Sequence, residues 1–145
     1  MEVTIKSIYL IGALKNPKVL TLENELRALG FDPFAEWMNP GPHADEFWQK
    51  YEKKRGRSYQ EALESHHAEH IFNFDVNHLH RCDAGILVMP AGRSAHIEFG
   101  YLRGQEKPGF ILFDREPRRY DLMYKFASGI FFDKKTLFKA LKEWR

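Results

Sequence analysis

Disulfides, membrane spans and an excess of one charge are all missing from this chain. Its 145 residues include one cysteine, Cys82, so no intrachain bridge forms, which fits a reducing compartment. Cys82 reads as a small buried residue at a strand entrance. No apolar run approaches the ~20 residues that span a bilayer. The charged N-terminus moves straight into a strand, unlike a secretory leader. Lys and Arg number 22 against 20 Asp and Glu, a formal net charge of +2. That balance gives no argument for a nucleic-acid polymer or a membrane as partner. The short basic runs 53–55 and 118–119 read as solvated faces. There is no Walker loop, no Gly-x-Gly-x-x-Gly and no Gly-x-Ser-x-Gly, so triphosphate, dinucleotide and serine-hydrolase readings lack their signals. A soluble, cytoplasmic protein is expected.

What is present suits one domain, 1–145, with a proper core. A β-rich run over 7–11 ends in Gly12-Ala13. Val19, Leu22, Leu26 and Leu29 recur at helical spacing, and Gly30 closes that helix. Short strands follow over 31–35, 84–89, 110–113 and 130–132. Helices are expected over 45–54, from Ser58 to about His80, over 94–105, and after the capping Asp133. The segment 37–42 holds two prolines and a glycine and reads as loop, opening a helical insert around 37–57. Residues 118–127 read as loop with a short helix. Alternating strands and helices imply an α/β fold, a parallel sheet covered on both faces. The expected architecture is flavodoxin-like (Rossmann-like), five strands in order 2-1-3-4-5. Its ligand crevice lies outside the carboxyl ends of strands one and three.

The leading candidate for chemistry is Glu98, which follows strand three and the turn at Gly92. Its helical neighbours at three and four residues are Ser94, Ala95, Tyr101 and Leu102, mostly an inward stripe. A carboxylate there is costly unless it is satisfied or used. The competing explanation is a helix-start glutamate. With Ser94 as N-cap the third helical position is Ile97, so Glu98 falls one residue late for a capping box, though a dipole-favoured surface glutamate stays open.

Two other acids lie close in sequence. Asp83 precedes strand three at the amino edge and reads as structural. Asp75, eight residues earlier on a helix, stands about 12 Å above that edge. There it is either an exposed helix residue or a partner for Glu98. Two carboxylates with Tyr9 as a hydrogen-bonding support suit glycosidic chemistry, one acid attacking carbon and the other moving a proton. Gly92-Arg93-Ser94 before a helix offers free N–H groups to an anion such as a 5′-phosphate. Trp37 is open to two readings, a stacking surface for a planar base or core packing. Seven histidines include His66 and His70 at four-residue spacing, but no zincin pattern and no evident third ligand accompany them, so no metal is expected.

These residues resemble the nucleoside 2-deoxyribosyltransferase superfamily, including its nucleotide N-glycosidase branch, over nearly the whole chain. The marks are Ile8-Tyr9-Leu10-Ile11-Gly12-Ala13, Asp75 eight residues before Asp83, Ser94 through Tyr101 with Lys107-Pro108 following, and Asp121-Leu122-Met123-Tyr124. The resemblance implies that Glu98 attacks C1′ of the sugar, that Asp75 assists proton transfer at the base, and that Tyr9 orients the glutamate. It implies further that Asp121, beside Met123, reaches the sugar's 5′ end in a neighbouring subunit's site, hence a homo-oligomer. Many members carry an acid six residues before the nucleophile, where this chain has Gly92. The expected activity is cleavage or transfer at the N-glycosidic bond of a nucleoside or nucleotide, without cofactor. The alternatives are a nucleoside monophosphate hydrolase, a catalytically silent nucleotide-binding module, or cleavage of a dinucleotide. Gly12, Trp37, Gly92, Arg93, Ser94, Asp121 and Met123 are the expected substrate contacts.

Overall fold

Period-two alternation along the first strand decides which helices cover which face. In β1 (Ser7–Ile11), Ile8 and Leu10 join one apolar cluster and Tyr9 and Ile11 the other. The computed structural model describes residues 4–145. Residues 1–3, where the charged N-terminus begins, lie outside that range. After β1 come α1 (Lys18–Ala28), β2 (Asp32–Phe34), α2 (Ala44–Lys54), α3 (Tyr59–Leu63) and α4 (His66–Arg81). Then follow β3 (Ala84–Val88), α5 (Arg93–Gly104), β4 (Gly109–Leu112), β5 (Gly129–Phe131) and α6 (Lys134–Trp144). The five strands pair in parallel in the order β2-β1-β3-β4-β5, as expected.

Each helix reaches its face through its apolar stripe. Val19, Leu22 and Leu26 of α1 and Leu137 and Leu141 of α6 pack on Ile8, Leu10, Ile86 and Val88. Leu79 of α4 and Ala95, Phe99 and Leu102 of α5 pack on Tyr9, Ile11, Leu87 and Ile111. The second face is the one that carries Tyr9 and α5, the helix of Glu98. Gly85 makes it tight: a Cβ there would lie 2.8 Å from Leu102 Cδ1, so a larger residue would have to push that buried side chain aside.

One detail differs from the sequence expectation. The helix expected from Ser58 to about His80 is two helices. Ser58 caps α3 in a capping box with Glu61, and Ser65, accepting from Ala68 N–H at 3.2 Å, caps a fresh start for α4. A second capping serine seven residues after the first competes for the chain and restarts it. The segment around Asp121 holds a 3-10 turn, Leu122–Phe126, capped by that aspartate through Met123 N–H at 3.3 Å. No helix among the described residues is long and apolar enough to cross a membrane.

Asp83 serves the frame. Its Oδ2 accepts from Ser7 N–H at 2.8 Å and from the Ser7 hydroxyl at 3.2 Å. Its own N–H donates to Ser7 carbonyl at 2.9 Å, tying β1 to the start of β3 at the amino edge. Asp83→Ala leaves the Ser7 N–H half-buried without its acceptor. It should lower unfolding free energy by about 1–3 kcal/mol in chemical denaturation, without changing the far-ultraviolet spectrum of the folded protein.

Candidate active site

Three elements of the second face bring three side chains together: Tyr9 from the centre of β1, Glu98 from the second turn of α5, and Asp75 from α4. Tyr9 is fully buried, and its hydroxyl donates to Glu98 Oε2 at 3.0 Å. Glu98 lies where the stripe turns outward. Ala95 and Leu102 beside it are buried, whereas Ser94 and Tyr101 are exposed. Asp75 is half-buried, and its Oδ1 is shut off from solvent with no hydrogen-bond partner. A buried acceptor left open in this way is a place for a donor to arrive.

Burial dominates the electrostatics. It lifts the Glu98 carboxyl to about 7; the Tyr9 hydrogen bond pulls it down and the Asp75 charge pushes it up. Burial lifts Asp75 to about 6, with His78 pulling the other way. The Tyr9 phenol is driven far above its ordinary value by burial and then by the Glu98 and Asp75 charges, so it stays a donor at every working pH. The sequence favoured an ionised Glu98 through the helix dipole. That influence fades within the first turn, and Glu98 is the sixth residue of α5, where burial outweighs it. The Asp75 charge adds to the rise at Glu98, but burial is the larger cause at both acids.

The other expected contacts distribute themselves around the carboxyl edge. Gly12 ends β1; a Cβ there would meet Val19 Cγ2 at 3.0 Å and the Val88 carbonyl at 3.5 Å, so the residue is a close-packing glycine. Trp37 donates its indole N–H to the Leu10 carbonyl at 2.7 Å and packs against both apolar clusters. Gly92 is the N-cap of α5 with open space where a Cβ would stand. Arg93 and Ser94 are exposed beside it, and among the described residues Arg93 makes no ion pair. Asp121 and Met123 are exposed on the 3-10 turn and are not brought to Glu98 of their own chain by any hydrogen bond. His96 reaches back to the Gly92 carbonyl at 2.7 Å and across to the Tyr124 hydroxyl at 2.9 Å, so it anchors that turn to α5.

Two residues with a role in this arrangement were not singled out by sequence. Phe34 of β2 packs on Tyr9 with ring centroids 5.0 Å apart, and His78 stacks on Phe34 at 3.8 Å. The signal for His78 is its place three residues after Asp75, one turn along the same helix face. Two shallow depressions beyond β4 are lined by Phe113, Tyr120 and Phe132 and by Met89, Arg115 and Arg118 respectively. Neither is lined by Glu98, Asp75 or Tyr9.

Both acids bind their protons more tightly folded than unfolded, so they favour the native state below about pH 4.5, and that contribution is lost as pH rises through 6 to 7. Glu98→Gln removes the charge and keeps an oxygen for Tyr9. It should therefore raise the melting temperature at pH 8 relative to wild type, by an effect on the order of 2 kcal/mol, and have little effect at pH 4.5. Thermal scans of both proteins at the two pH values measure the difference.

No family model matches the chain, and no curated protein matches it. Among solved structures, the 2-deoxyribosyltransferase from the psychrotolerant bacterium Bacillus psychrosaccharolyticus is similar, with a TM-score of 0.65 and 18% sequence identity. The likeness covers 90% of this chain and 89% of that one, and that enzyme is described as a biocatalyst for the synthesis of antiviral and antitumoral nucleosides. The likeness is one of frame: this chain has the fold of a 2-deoxyribosyltransferase.

Proposed function

We propose that this protein cleaves or transfers the N-glycosidic bond of a nucleoside or nucleotide, with Glu98 as nucleophile. The observation that carries this is the buried Tyr9 hydroxyl holding Glu98 at 3.0 Å while a second acid, Asp75, presents an unpartnered buried oxygen to the same site. A glutamate fixed by a phenol that cannot ionise is oriented for attack, and the second acid supplies a proton to the departing base; because Glu98 is raised to about 7 and Asp75 to about 6, this reactive form is a minority of the resting protein. The fold shared with a 2-deoxyribosyltransferase adds to this support.

The steps balance as follows. A Glu98 carboxylate oxygen bonds to C1′ as the C1′–N bond breaks. The bonding pair passes to the base nitrogen, which takes the proton of Asp75. The nitrogen of a second base, or water, then attacks C1′ and releases Glu98, while the Asp75 carboxylate accepts the incoming group's proton. Transfer and hydrolysis differ only in the second nucleophile. Arg93 beside the open N-terminus of α5 is placed to draw a 5′-phosphate where the substrate is a monophosphate.

A second copy of the chain is part of this proposal. The turn carrying Asp121 and Met123 presents Leu122 at 70% and Phe126 at 66% exposure, an apolar surface suited to a neighbouring subunit. Asp121 is then available to that subunit's substrate.

Three outcomes are expected. Mass spectrometry after incubation with a 2-fluoro-sugar nucleoside should find one sugar adduct, on Glu98; protein left unmodified by that probe, in a preparation that turns over its natural substrate, removes the covalent intermediate. Glu98→Gln should lower turnover by about 10⁴-fold or more with the fold intact. The rate should form a narrow bell in pH. Ionised Glu98 is needed and is lost below the pair's titration, protonated Asp75 is needed and is lost above it, so kcat/KM should peak between about 6 and 7. Supplying a second free base distinguishes the branches, since base exchange marks transfer and free sugar alone marks hydrolysis.

A further inference from the structure

Helix α2 leans on the molecule without being built into its core. Of its eleven residues only Glu52 is buried, and none joins either apolar cluster that covers the sheet. By contrast α1, of the same length, buries Val19, Leu22 and Leu26. The inward stripe of α2 is Ala44, Trp48 and Glu52 at four-residue spacing, with Ala44 and Trp48 half-buried. The Glu52 carboxylate is met within the insert, by Arg57 Nη1 at 2.9 and 3.3 Å. The Trp48 indole nitrogen is shut off from solvent and has no acceptor, which disfavours this pose. Phe47 and Tyr51 lie outside the stripe and are exposed.

The two ends of α2 say what it covers. Its first turn is fastened by an ion pair between Glu46 and Lys15, both at least half-exposed. Lys15 belongs to the loop that leads from β1 to α1 on the first face. That loop is itself fixed, because the neighbouring Asn16 is buried and its Nδ2 donates to the Pro90 carbonyl, just after β3, at 3.5 Å. The far end of α2 passes through Gly56 and α3 to the head of α4, the helix of Asp75 on the second face. Eleven helical residues rise about 16 Å, so α2 crosses the carboxyl edge from one face to the other, over the mouth of the crevice. It is joined to the sheet through Pro40-Gly41-Pro42, where Gly41 has φ +94° and open space around it.

We propose that α2 is a lid on this site, swinging about the turn at Gly41 to admit a nucleoside or nucleotide and latched shut by Lys15 and Glu46. It deepens the glycosidic reading given above, on which the identity of the ligand and the part of the lid in turnover rest. An exposed ion pair is a weak bond, which suits a latch that must release in every cycle. A helix seated by one aromatic ring parts from the body without breaking the core. Closure keeps bulk water from the sugar while the bond at C1′ is remade.

The test ties the lid down. Lys15→Cys and Glu46→Cys in one chain are joined by a short bis-maleimide, while the native Cys82 is buried and stays unlabelled. The protein is grown with 5-fluorotryptophan, and Trp48→Phe identifies the Trp48 signal. Without substrate, a soluble gadolinium chelate should broaden the Trp48 fluorine in the unjoined double variant and spare it in the joined one, with Trp37 and Trp144 alike in both. Equal broadening of Trp48 in the two overturns the lid. In turnover, joining should lower kcat/KM about tenfold or more with the far-ultraviolet spectrum unchanged, relative to single-cysteine variants treated with the same reagent. A joined protein no slower than those controls overturns it as well. Shielding of Trp48 on joining, in a protein that shows no glycosidic turnover in any form, retains the lid and removes the chemistry proposed for the site.

Discussion

A phenol on an inner strand of the sheet holds a glutamate on a covering helix, and the rest of the site is arranged around that bond. Tyr9 is buried on β1 between β2 and β3, and β1 and β3 are the strands that flank the switch in strand order. A tyrosine in that position cannot find water for its hydroxyl, so the group must be satisfied inside. Glu98 supplies the acceptor, and the glycine at position 85 leaves room for Leu102 where α5 packs on β3. The bond therefore satisfies a folding requirement, and at the same time fixes the direction of a carboxylate.

The site carries a tension that the fold does not relieve. Burial raises both acids, so neither is comfortable as an anion, whereas the proposed chemistry needs Glu98 as one. Tyr9 offsets part of that cost at Glu98 and His78 part of it at Asp75. With Glu98 raised to about 7 and Asp75 to about 6, the form that the proposed chemistry needs, ionised Glu98 beside protonated Asp75, is the minority one near neutrality.

Much of the frame was legible in the residues. The strand order follows from alternating strands and helices with right-handed crossovers, and the period-two pattern of β1 already separates the two faces. Glu98 stood out because it interrupts an apolar stripe, and Asp83 because its place at the amino edge left it a frame role. The break at Ser65 was not visible, since a serine mid-helix and a serine cap look alike until the turn before it is placed. The charge state of Glu98 was not visible either. Sequence gives the distance to a helix start, whereas burial depends on what packs from β1 and α4. Phe34 and His78 escaped notice for the same reason, because Tyr9 and Phe34 lie 25 residues apart along the chain and Phe34 and His78 lie 44 apart, and they act through a ring rather than a charge.

Both helices that carry the acids run from the carboxyl edge down to the amino edge, and there they are fastened. The Lys107 ammonium donates to the Leu79 and His80 carbonyls at 2.6 Å, and His80 Nε2 meets the Tyr101 hydroxyl at 2.5 Å. The lysine thus closes the exposed carbonyls at the end of α4 from the loop that follows α5. Among the described residues no other side-chain hydrogen bond joins α4 to α5, so the seam between them is bonded at the amino edge and held by packing alone toward the acids.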